Sequence, residues 1–179
     1  MNYEGVIDEI LKAEAGYVDH SDDRGGPTNW GITQAVARKN GWTGSMQDLP
    51  QAVAREIYRK RYIVEPWFDR VALVNEKIGF ELVDTGVNMG PARAAEFLQR
   101  LLNALNAQGS RYADLAVDGR IGSVTIEALR AYLRWRGDNG EKVLLRGLNG
   151  LQTARYLEIA ENDPRQESFF HGWLLNRVS

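Results

Sequence analysis

The apolar residues of this chain recur at the three- and four-residue intervals of an α-helix from one end almost to the other, and that period predicts a mainly α fold. Val6, Ile7, Ile10 and Leu11 form the first stripe, with Gly16 as its stop. Thr33 is placed to cap "QAVARKN", which Gly41 ends. Pro50 suits the first turn of "PQAVAREIYRKRYI", and Pro66 helps close it. "NEKIGFELVDTGVNMG" carries Ile78, Leu82 and Val83 on one face, and Gly90–Pro91 breaks to the amphipathic "ARAAEFLQRLLNALN". Ser123 is the expected N-cap of "VTIEALRAYL" after a turn at "VDGRIG". Two further helices fit "EKVLLRGLNGLQTARYLEIAE" and "QESFFHGWLLNRV". Only Tyr17 to Thr33 departs from this period. There, short extended pieces surround "DDRGGP", which reads as a hairpin or Ω-like loop.

Composition narrows the function classes. At 179 residues, 44% hydrophobic and 26% charged, the chain is expected to form one compact domain, or one domain with a smaller helical lobe. A net charge of −2 gives no basic field for nucleic acid. "REIYRKRY" (Arg55 to Tyr62) reads as a solvated helix face. There is no cysteine, so no thiolate chemistry or disulfide framework, and two distant histidines, His20 and His171, argue against a His-rich metal site. No cofactor is expected. The amino terminus lacks the pattern of a signal peptide, and no run reaches membrane-spanning length.

Glu14 raises the main question. It follows Ile10 by one helical turn and Ile7 by two, so helical extrapolation puts it on the apolar stripe, in the last turn before a glycine-rich segment. Desolvation and the negative end of the helix dipole would both raise its pKa, as a general acid requires. The competing reading is a glutamate that bends out to solvent where the helix ends. Asp23 follows in the turn, and Thr28 stands on the expected returning strand, so a hairpin folded against the helix end would bring both opposite Glu14. Two carboxylates in unlike environments are the apparatus of glycosidic bond cleavage. Asp19 and Asp22 compete with Asp23 for the second place. Tyr17 and Trp30 are candidates to stack on sugar rings, and Asp84 and Asn88 share a helix face able to bond sugar amides. Trp67, Phe80, Phe97 and Trp173 are expected in the core.

The stretch "EAGYVDHSDDRGGPTNWGIT" resembles the amino-terminal motif of glycoside hydrolase family 108, the peptidoglycan muramidases of phage endolysins and secretion-associated lysozymes. Ala15 departs from the glycine that many members carry, and the spacing of Asp23 and Thr28 differs in loop length from the related phage lysozymes. "VDTGVNMGPARAAEFLQRLLN", "VDGRIGSVTIEAL" and "GWLLNRV" resemble the helical peptidoglycan-binding region that follows in that family. The resemblance implies a lysozyme-like helical fold with a small β-hairpin, a catalytic lobe over 1–90 and a peptidoglycan-binding lobe over 91–179. It implies Glu14 as the catalytic acid of an N-acetylmuramidase, with Asp23 and Thr28 completing the site and peptidoglycan as partner. A monomer made in the cytoplasm, without stable membrane insertion, would need a holin or a secretion system to reach the periplasm and cell wall. Two alternatives stay open: a lytic transglycosylase, recognised by anhydro products, and a wall-binding module without catalysis.

Overall fold

The computed structural model of the chain describes residues 3–18 and 26–178. The fold is mainly α, with one small antiparallel sheet near the amino terminus, as the periodicity predicts. It divides into two compact units, Met1–Glu65 and Pro66–Ser179.

In the first unit, α1 (Tyr3–Ala13) buries Val6, Ile7 and Leu11 and packs on α3 (Gln51–Arg59). Each such side chain contributes roughly 1.5–3 kcal/mol by leaving water, and an Asp8–Arg55 ion pair joins the two helices. After α1, Gly16 at φ 122° turns the chain into β1 (Tyr17–Val18). β2 (Thr28–Asn29) pairs antiparallel with β1, and β3 (Ile32–Thr33) pairs antiparallel with β2. The expected single hairpin is thus a three-stranded meander. Its second turn is only Trp30–Gly31, both at positive φ (53° and 69°), as a two-residue type I′ hairpin demands. Thr33 does cap α2 (Gln34–Lys39), its hydroxyl accepting from the Val36 N–H at 3.4 Å. Pro50 takes the N-cap position of α3, one place outside the first turn. α3 runs on into a π-helical turn, Lys60–Val64. "REIYRKRY" is therefore not a uniformly solvated face: Ile57 and Tyr58 are buried, and Arg59, Lys60 and Arg61 are exposed.

The second unit opens at Trp67, whose backbone is left-handed (φ 63°) and whose ring lies 3.5 Å beneath the Arg70 guanidinium. α4 (Phe68–Ala72) packs on α5 (Glu76–Met89), and Gly79 makes that approach possible: a methyl group there would lie 2.6 Å from the Ala72 Cβ. The Asn75 side chain caps α5 by accepting from the Ile78 N–H. α5 also packs on α6 (Pro91–Ala104) and α8 (Asp138–Asn162), so Ile78, Leu82 and Val83 are wholly enclosed. Gly90 and Pro91 make the expected break. α7 (Ser123–Arg136) packs on α8, but Gly122, not Ser123, holds its N-cap position; Ser123 is already helical and caps nothing. Trp173 of α9 (Glu167–Arg177) stacks on Tyr156 at 4.8 Å. Of the four aromatics expected in the core only Phe97 is buried, whereas Trp67, Phe80 and Trp173 are half-buried and Phe68 takes an interior place instead.

The segment between α6 and α7 has no regular structure and is held by side-chain amides. Buried Gln99 donates to the Asp118 carboxylate and the Arg120 carbonyl, and accepts from the N–H groups of Asp118 and Gly119. Asn103 exchanges two bonds with the Leu115 main chain. The "VDG" turn is fixed from below by one side chain.

Candidate active site

Glu14 stands one residue beyond α1, its N–H still donating to the Ile10 carbonyl at 2.9 Å. Its side chain is exposed. The sequence-based expectation of a desolvated carboxylate is therefore corrected. Helical extrapolation from Ile7 and Ile10 assumes one more residue of helix than forms, and the chain leaves the cylinder before the stripe can carry Glu14 inward.

The carboxyl group meets the β2–β3 turn instead. A methyl group added at Gly31 would lie 2.9 Å from Glu14 Oε2 and 2.6 Å from the Tyr58 hydroxyl, so both groups close on the same spot over a glycine. Gly31 is required twice, once by its positive φ and once by this approach. Two polar anchors hold the turn. Trp30 donates its indole N–H to the Leu49 carbonyl at 3.0 Å, and Asn29, which is buried, donates to the Met46 carbonyl at 2.8 Å. The Trp30 carbonyl accepts from the Tyr58 hydroxyl at 3.0 Å. Burial first, and the neighbouring Glu14 charge second, push the Tyr58 phenol up to about 12. Sequence reading missed Tyr58 and Gly31. Tyr58 lies in a basic run, and nothing local signals that its buried face points at a helix end far earlier in the chain.

The other predicted residues divide. Thr28 lies on β2, opposite Val18 and Thr33, and its hydroxyl donates to the Gly26 carbonyl at 3.3 Å. Asp23, with its competitors Asp19 and Asp22, lies outside the described residues. Tyr17 is exposed on β1 and Trp30 is half-buried at the turn, so both offer ring surface. In the second unit, Asn88 is exposed and donates to the Asp84 carbonyl at 2.8 Å, while Asp84 is buried and accepts from Gln152 at 3.3 Å. Asp84 also has an acidic neighbour that was not foreseen. Burial, and then the Asp84 charge, raise the buried Glu81 carboxyl to about 7. An acid pair three apart inside a helix whose flanking positions are apolar was its only sequence signal.

Among the described residues no group of three or more His, Cys, Asp or Glu is placed to hold a metal ion, and no helix is long and apolar enough to cross a membrane. A cavity of about 660 Å³ lined by Asn40, Val53, Ile57, Lys60 and Val64, among others, does not include Glu14.

Residues 7–90 match the glycosyl hydrolase 108 family, and residues 93–178 match a predicted peptidoglycan domain. The fold is similar to the structure of Brucella abortus SagA, at 23% identity and a TM-score of 0.52, with 98% of each chain covered. No curated protein matches the chain.

Proposed function

We propose that the chain, whose residues 7–90 match the glycosyl hydrolase 108 family and whose residues 93–178 match a predicted peptidoglycan domain, is a peptidoglycan hydrolase of the lysozyme type, an N-acetylmuramidase with Glu14 as its general acid. In this reading the bond broken is the β-1,4 link from N-acetylmuramic acid to N-acetylglucosamine. Glu14 protonates the leaving oxygen as positive charge develops on the ring carbon. Asp23, together with Thr28, supplies the second group, either as nucleophile or by holding the attacking water. The observation that carries the proposal is the placement of the Glu14 carboxyl over Gly31, reachable from solvent and close to the Tyr58 hydroxyl, within the segment that matches the hydrolase family.

In the first unit Tyr17 and Trp30 offer ring faces for stacking on sugars; in the second, Asn88, bonded to the Asp84 carbonyl, offers polar groups for sugar amides. Residues 1–90 form the catalytic part and 91–179 the wall-binding part, the latter matching the predicted peptidoglycan domain. The enzyme acts at the cell wall as a monomer and reaches it through a holin or a secretion system.

Mass spectrometry of digested peptidoglycan tests this reading. It predicts fragments with a reducing N-acetylmuramic acid end. Anhydro ends would assign a lytic transglycosylase, and intact glycan with bound protein would assign a binding module.

A further inference from the structure

We propose that Arg111 and Arg136, gathered on the indole of Trp135, form a binding site for the carboxylates of the peptide stems of peptidoglycan. This rests on the reading of peptidoglycan as the partner of the chain. The Arg136 guanidinium lies 3.6 Å from the Trp135 ring centroid and the Arg111 guanidinium 4.6 Å from it. Trp135 and Arg136 end α7, whereas Arg111 comes from the irregular segment between α6 and α7. Two cations from separate segments thus share one ring, within the part of the chain that matches the predicted peptidoglycan domain.

Both arginines are exposed, and among the described residues neither forms an ion pair or donates a side-chain hydrogen bond. Asp138, two residues beyond Arg136 in the first turn of α8, pairs with neither. An arginine laid on an aromatic face keeps its in-plane N–H fork for a planar, two-oxygen acceptor, which a carboxylate supplies. The forks are also held in place. The Arg111 N–H donates to the Asn106 carbonyl at 3.2 Å, and the adjacent Tyr112 hydroxyl donates to the Leu102 carbonyl at 2.8 Å. A methyl group at Gly140 would lie 2.8 Å from the Arg136 Cβ, so the start of α8 packs against that stem. A cation in the last turn of α7 also suits the helix dipole, which accounts for Arg136 but not for Arg111. In peptidoglycan the sugars are neutral and the carboxylates belong to the stems, so the sign of the site selects the stem.

The test measures binding of the full chain on ice to purified peptidoglycan sacculi, and to the same sacculi stripped of stems by an amidase. The double variant Arg111→Gln, Arg136→Gln should bind intact sacculi roughly tenfold to a hundredfold more weakly than the parent chain. Stripping the stems should weaken the parent by a similar factor and the variant no further. A soluble stem peptide should compete with the parent for intact sacculi, and its carboxyl-amidated form should not; this arm needs no substitution. Equal binding of parent and variant to intact sacculi overturns the proposal. So does an equal loss by the variant on both kinds of sacculi, which would leave the arginines a structural role only. Loss of parent binding when phosphate-rich polymers are removed but stems are kept would assign the site to phosphate, and also overturns it. Parent chain that neither binds nor cleaves wall material would remove the peptidoglycan reading and this inference with it, whereas cleavage with unaltered binding by the variant fails this inference alone.

Discussion

The Tyr58 hydroxyl and the Glu14 carboxyl close on one spot over Gly31, the hydroxyl 2.6 Å and the carboxyl oxygen 2.9 Å from where a side chain there would begin. A helix end, a two-residue turn and a buried face of α3 therefore meet at the only kind of residue that leaves them room.

Gly31→Ala should damage this arrangement twice. The methyl group would displace both oxygens, and alanine resists the 69° φ of the turn, at a cost of about 1–2 kcal/mol. Wall-lysing activity is expected to fall by more than tenfold while the helical circular dichroism is retained. Activity near that of the unsubstituted chain would show that the carboxyl and hydroxyl need not stay together.

The aspartates of the first turn make a separate prediction. Asp23→Asn should lower activity far more than Asp19→Asn or Asp22→Asn, because only Asp23 has the motif spacing from Glu14 and Thr28. Turbidity clearance by the three purified variants decides it. Equal losses would give the role to the charge of the turn as a whole.

Buried Glu81 predicts a pH dependence of stability. Its folded-state carboxyl titrates near pH 7, raised by burial and by Asp84, whereas the unfolded chain releases that proton near 4.5. Between those values the folded state binds the extra proton, so stability falls as pH rises through the window and levels off above it. The loss is at most about 3 kcal/mol. Urea unfolding at pH 5 and pH 8 should show a smaller difference for Glu81→Gln than for the parent chain. An unchanged difference would assign the titration elsewhere.

Gln99→Ala removes the four hydrogen bonds that hold the Asp118–Arg120 turn and empties a buried position. The expected loss is about 2–4 kcal/mol by urea unfolding. A loss under about 1 kcal/mol would mean that water replaces the amide without consequence.

What the sequence makes legible is what local chemistry decides. The α1 stripe, the Thr33 cap and the Gly90–Pro91 break depend on neighbours within a turn or two, and each forms where the pattern puts it. Cap positions at Pro50 and Gly122 shift by one residue, since several flanking conformations satisfy the same pattern. The Glu14 environment was misread for a related reason: one residue of helix decides between the interior and solvent. Hydrophobicity puts Trp67 in the core, whereas the structure leaves it half-buried, with a left-handed backbone and Arg70 over its ring. Tyr58 was not legible at all, because its partners lie on segments that only the tertiary fold brings near.

The central claim is that Glu14 delivers the proton, and the rate of lysis of purified peptidoglycan by Glu14→Gln tests it most directly. Glutamine keeps the shape and the exposed position of the side chain but has no proton to transfer. The account predicts a rate lower by at least about a hundredfold, with the melting temperature unchanged. Lysis at close to the rate of the unsubstituted chain would contradict it.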